Sequence, residues 1–87
     1  MSYEYDYYYS EISGNIRLTS KTPSLFKVLF GDTHIGYLTK GGDKYVTWDA
    51  LLWDCSKSKF VGAKEGFQVR KDALTWISEH LGLLESL

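Results

Sequence analysis

Leu25-Phe26-Lys27-Val28-Leu29-Phe30-Gly31-Asp32-Thr33-His34-Ile35-Gly36-Tyr37-Leu38-Thr39-Lys40 is the stretch that decides the fold. Phe26, Val28 and Phe30 fall on one face of an extended chain and Lys27 on the other, the period of two of a half-buried strand. Gly31-Asp32 is a two-residue connector suited to a type I′ or II′ hairpin turn. Thr33 to Lys40 then reads as the return strand, with Ile35 and Tyr37 on one face and His34, Gly36 and Leu38 on the other. Gly36 inside a strand calls for a bulge or for a close packing partner above it.

Downstream, Gly41-Gly42-Asp43 reads as the next turn. Lys44 to Cys55 carries two patterns. Tyr45, Val46, Thr47 and Trp48 favour a strand, whereas Trp48, Leu51, Leu52 and Cys55 have helical spacing. The tight turns before it favour a meander, hence a strand, with a bulge near Ala50 to absorb the change of apolar phase. Ser56 to Lys59 is a polar loop, Phe60-Val61 a short strand end, and Gly62 to Gly66 another turn. Val69 to His80 predicts a helix with Asp72 in its first turn, where a carboxylate suits the helix dipole. Ala73, Leu74, Ile77, Leu81 and Leu84 form one apolar stripe. Trp76, His80, Leu83 and Leu87 form a second, about 100° away. Gly82 is a candidate C-cap.

Upstream, Pro23 stops any strand from running through the Ser20–Ser24 connector. Ile16 to Ser20 alternates, and Ser13-Gly14-Asn15 is a turn. Tyr3, Tyr5, Tyr7 and Tyr9 share one face of an extended chain, with Glu4, Asp6 and Tyr8 on the other. The expectation is an N-terminal hairpin, Tyr3–Ile12 with Ile16–Ser20, against the alternative of an acidic, aromatic tail. The fold class that follows is α+β: an antiparallel meander of three strands plus this hairpin, packed on one C-terminal helix.

The 87 residues are enough for one small domain, with residues 1–11 as an acidic, Tyr-rich strand or tail. Ten Lys/Arg against eleven Asp/Glu argue against a strongly basic nucleic-acid coat. One Cys makes no intramolecular disulfide, and no apolar run exceeds four residues, so a secreted or membrane-spanning chain is not expected. A cytoplasmic location is the expectation. Fourteen aromatics, 16% of the chain, exceed what so small a core needs, which puts some at the surface.

No constellation carries catalysis. His34, His80 and Cys55 stand alone in their segments, where zinc needs three or four convergent ligands and thiol catalysis needs a partnered Cys. Asp49 and Asp54, five apart, do not face each other on a strand or a helix and read as solvated rim charges. Gly41-Gly42-Asp43-Lys44 lacks the spacing of a phosphate loop. Neither an enzyme, nor a cofactor, nor a metal site is expected.

Binding remains. One expectation is a protein-binding module acting through Tyr3, Glu4, Tyr5, Asp6, Tyr7 and Tyr9 and through Trp76 and Leu83, with a homodimer through the C-terminal helix as a further expectation. A small accessory or inhibitor protein of a phage or mobile element fits this size and composition. The alternative is nucleic-acid binding by a basic and aromatic sheet face built from Lys40, Lys44, Tyr37, Tyr45, Lys57 and Lys59, with Trp53 close by. From residue 12 onward the chain carries ten Lys/Arg against eight Asp/Glu.

Three short strands, the Lys64-Glu65-Gly66-Phe67 segment, and a helix with Asp72-Ala73 and Trp76-Ile77 give residues 25–81 a resemblance. The order resembles the small DNA-binding domains of plant AP2 factors and the arm-binding domains of phage integrases. That resemblance implies a three-stranded sheet set into the major groove, one helix behind it, and no catalytic residue. The chain departs from that pattern in having Val69 where the helix begins and only two arginines, Arg17 and Arg70.

Overall fold

The computed structural model describes residues 9–13, 15–41, 46–85 and 87. Its six strands are β1 (Tyr9–Ser13), β2 (Ile16–Thr22), β3 (Leu25–Phe30), β4 (Thr33–Gly41), β5 (Thr47–Asp54) and β6 (Lys59–Phe67). They pair in chain order as one antiparallel sheet, a meander with one strand more than expected. Helix α1 (Arg70–Glu79) follows, then a 3₁₀ turn at Leu81–Leu83. Tyr3, Tyr5 and Tyr7 lie outside the described residues, as do Lys44 and Tyr45.

The central hairpin forms as its residues dictate. Phe30 pairs with Thr33 across Gly31-Asp32. Gly31 has φ +62° and Asp32 does not share the positive sign, the pattern of a type II′ turn. The Gly31 N–H donates to the Asn15 carbonyl at 3.0 Å and so ties this turn to the one before β2. Pro23-Ser24 forms the β2–β3 turn between paired Thr22 and Leu25. Its missing donor thus falls where no ladder bond is needed.

One residue in β4 shifts the phase. Val28 pairs with Gly36 and Leu29 with His34, so Ile35 is an extra residue on β4. Ile35 and Gly36 are therefore both buried, while His34 and Tyr37 share the opposite face. Simple alternation had put Ile35 with Tyr37, and the bulge corrects it.

In β5 the correction runs the other way. Trp48, Ala50, Leu52 and Asp54 are buried and Thr47, Asp49, Leu51 and Trp53 are half-buried, an unbroken alternation. There is no bulge at Ala50. The extra residues lie on β6, between its pairings to Trp48 and Ala50 and to Leu52 and Trp53. Those two interruptions, and Gly66 at φ +87°, hid a nine-residue strand that alternation reads as a strand end and a turn.

Helix α1 packs across β4, β5 and β6. Ala73 and Ile77 are its buried residues. Val69 caps it with extended backbone and no side-chain bond. The helix ends at His80, whose N–H donates to the Ile77 carbonyl at 3.0 Å, so Gly82 is not its C-cap. The chain turns once more and returns Leu84 to the core. On the helix-bearing face Leu18, Phe26, Val28, Leu38, Ala50 and Leu52 complete that core, and each large side chain contributes about 1.5–3 kcal/mol by leaving water.

Asp54 also departs from the sequence expectation. It is not a rim charge: its exposure is 0%. Its Oδ1 accepts the Ser56 N–H at 2.9 Å and the Ser56 hydroxyl at 2.6 Å, and its Oδ2 accepts the Glu85 N–H at 2.8 Å. The carboxylate thus joins the β5–β6 turn to the C-terminal segment. The Ser56 hydroxyl first, then the Glu85, Ser56 and Lys57 N–H groups, hold its pKa at about 2 against the opposing effect of burial.

Candidate functional site: the open face of the sheet

Cross-strand neighbours share a face, so the register fixes what the side away from α1 presents. One row runs from Arg17 on β2 through Leu29 and His34 to Trp53 and Phe60 on β6. The next row holds Thr19, Lys27, Tyr37, Leu51 and Ala63. Asp49 lies one row further, where its Oδ1 accepts the Gly66 N–H at 3.3 Å.

Four rings from three strands meet at the centre. His34 lies edge-on to Tyr37 at 4.6 Å and stacks with Trp53 at 5.9 Å and 24°. Phe60 stands edge-on to Trp53 at 4.9 Å and 6.2 Å from Tyr37. The bulge at Ile35 is what brings His34 to this face, and the one on β6 aligns Phe60 with Trp53. Phe60 is 49% exposed, and His34, Tyr37 and Trp53 are half-buried although α1 lies on the other side. His34 Nε2 is 3.0 Å from the Gly36 carbonyl, so that nitrogen carries the proton in the neutral ring. Burial lowers its pKa from the ordinary histidine range.

Cations border the rings on one side. Lys27 is exposed and pairs across the strands with Tyr37. Arg17 Nη2 is 3.9 Å from the exposed Asp32 carboxylate, and Arg17 Nε is buried with no hydrogen-bond partner among the described residues.

Of the residues expected to bind nucleic acid, Tyr37 joins this face, with Trp53 beside it. Lys40 does not: it pairs with Trp48 on the helix-bearing side. Lys57 pairs with Glu85 at 3.1 Å, and Lys59 sits opposite Asp54. Of the residues expected to bind protein, Tyr9 pairs through its backbone with Ser20 at the edge of the sheet. Glu4 and Asp6, with Tyr3, Tyr5 and Tyr7, lie outside the described residues.

Trp76 is half-buried, packs against the core and stacks on His80 at 4.3 Å. Its ring tip lies 3.6 Å from where a Cβ on Gly62 would stand. Leu83 is 52% exposed. We therefore expect Trp76→Ser to destabilise the chain by about 2–3 kcal/mol and Leu83→Ser by less than about 0.5 kcal/mol, read by urea unfolding.

His34, Phe60 and Leu51 were not singled out as site residues from the sequence. Leu51 and Trp53 between inward-facing Trp48, Ala50 and Leu52 were the available signal, because a strand apolar on both faces has a second contact to make. Compared with known protein families, with curated proteins and with solved structures, the chain matches none. Among the described residues no three His, Cys, Asp or Glu are grouped to hold a metal, and no helix is long and apolar enough to cross a membrane.

Proposed function

We propose that the chain is a non-enzymatic protein-binding module that contacts its partner through the open face of the sheet. The cluster of Tyr37, Trp53, Phe60 and His34 on the side without the helix is the observation that carries this reading. Tyr and Trp supply large contact area at low conformational cost and dominate the energetics of protein interfaces. His34 meets Tyr37, and Phe60 meets Trp53, edge to face, while His34 stacks on Trp53, so the four rings form a ridge more than a flat platform. The partner that fits offers an apolar side chain to Phe60 and Trp53 and a carboxylate toward Lys27 and the exposed part of the Arg17 guanidinium. A small cytoplasmic accessory or inhibitor protein of the phage or mobile-element kind remains our reading of its role. The exposed Leu83, in the 3₁₀ turn after α1, is the place to look for self-association.

Phe60→Ser and Tyr37→Ser should each weaken partner binding by at least about 2 kcal/mol while changing stability by no more than about 1–2 kcal/mol. Binding measured by titration, with circular dichroism of each variant, checks both halves.

One observation favours a second reading, in which single-stranded nucleic acid uses the same face. Tyr37 and Trp53 lie beside Lys27, the pairing of rings and cations that stacks bases and tracks phosphates. It predicts binding of oligonucleotides that weakens steeply with salt, and Lys27→Ala should flatten that dependence.

A further inference from the structure

We infer that His34 is a pH-operated latch at the centre of the open face: neutral, it holds the rings of Trp53 and Tyr37 in one cluster, and protonated, it leaves them. The geometry supplies the reason. The ring is half-buried, stacked on Trp53, edge-on to Tyr37 and anchored through Nε2–H to the Gly36 carbonyl. With Nε2 as the donor, an added proton goes to Nδ1 and makes the ring a cation in place.

The surroundings offer that cation little compensation. The charged and titratable groups near it are Lys27 from β3, Arg17 one strand further on β2, Tyr37 from its own strand, Asp32 in the turn before β4 and Asp49 two rows away on β5. Of the two carboxylates, Asp32 is exposed and near Arg17, and Asp49 accepts the Gly66 N–H. No carboxylate forms an ion pair with His34 among the described residues. The faces of Trp53 and Tyr37 attract a cation. Burial and Lys27 oppose it, and they outweigh the pull of the Gly36 carbonyl. Folding therefore favours the neutral ring, and acidification through the pKa removes the contribution that His34 makes above it.

The latch belongs to the free chain, while its consequence for a partner rests on the protein-binding reading above. A mildly acidic medium would loosen the ridge that the partner meets.

The test is nuclear magnetic resonance of the intact free protein between about pH 8 and pH 5, following the ring signals of His34 and Trp53. We expect His34 to titrate below about 6.5 and the cross-relaxation between the His34 and Trp53 rings to fall at least about threefold with the same midpoint. His34→Gln should remove the pH dependence of the Trp53 signals, while the Trp76–His80 pair serves as a second ring contact for comparison. Failure of partner binding with these signals intact would count against the protein-binding reading alone. A His34 that titrates at or above about 6.5, or a ring contact that persists through its titration, would overturn the latch.

Discussion

Gly36→Ala should cost about 3 kcal/mol or more, the largest effect of a Cβ added at any glycine among the described residues. A Cβ at Gly36 would collide with the backbone carbonyl oxygen of Leu51 on β5 and stand 3.4 Å from Ile77 Cδ1 on α1. A side chain can rotate away from such a contact, but a paired strand cannot. The substitution also falls beside the bulge at Ile35, so any retreat of β4 disturbs the position of His34 on the other face. For a domain of this size the total margin is on the order of 5 kcal/mol. The melting midpoint should therefore drop by roughly 15 °C or more, read by calorimetry. A variant within a few degrees of the wild type would mean that β4 and β5 are not so closely apposed.

Asp54→Asn should release the C-terminal segment. The carboxylate accepts from both sides, the Ser56 N–H and hydroxyl on Oδ1 and the Glu85 N–H on Oδ2. An amide has one acceptor oxygen, so its NH2 must face one of these donors. We expect a melting midpoint lower by roughly 5–10 °C and faster hydrogen exchange at the Glu85 amide. The pH dependence has a definite sign. The folded pKa of about 2 lies below the usual carboxylate value, so the group stabilises the fold at pH 4 and above, and the stabilisation is lost as pH falls through 2. Asp54→Asn should lack that part of the acid transition. An acid transition unchanged by the substitution would contradict the role given to Asp54.

β3, where apolar and polar residues alternate, was legible from its residues alone; β5 alternates as regularly in the structure but was not, because Leu51 and Trp53 make it apolar on both faces. β3 shows Phe26 and Val28 inward and Lys27 outward, and Gly31-Asp32 is a turn in the structure as in the sequence. The helix was legible from Ala73 and Ile77, because 3.6-residue spacing survives local irregularity. Bulges erase the period of two. Ile35 in β4 and the extra residues of β6 moved His34, Tyr37 and Phe60 relative to their neighbours; Gly36 marks the irregular place in β4, but nothing local names Ile35 as the residue set aside. The candidate site depends on those same bulges. Tyr37 and Trp53 were recognised as surface aromatics, but their meeting with His34 and Phe60 is set by register across three strands. Asp54 was misread for a related reason: its donors, Ser56 and Glu85, come from a turn and from a segment 31 residues away.

The most direct test of the central claim compares the intact chain with its Phe60→Ser and Leu83→Ser variants, each confirmed as folded, in capture from native extract after nuclease treatment. The protein-binding reading of the open face predicts a discrete protein held by the wild type and by Leu83→Ser, and lost with Phe60→Ser. A protein held equally by Phe60→Ser, or retention that disappears with nuclease, would contradict it.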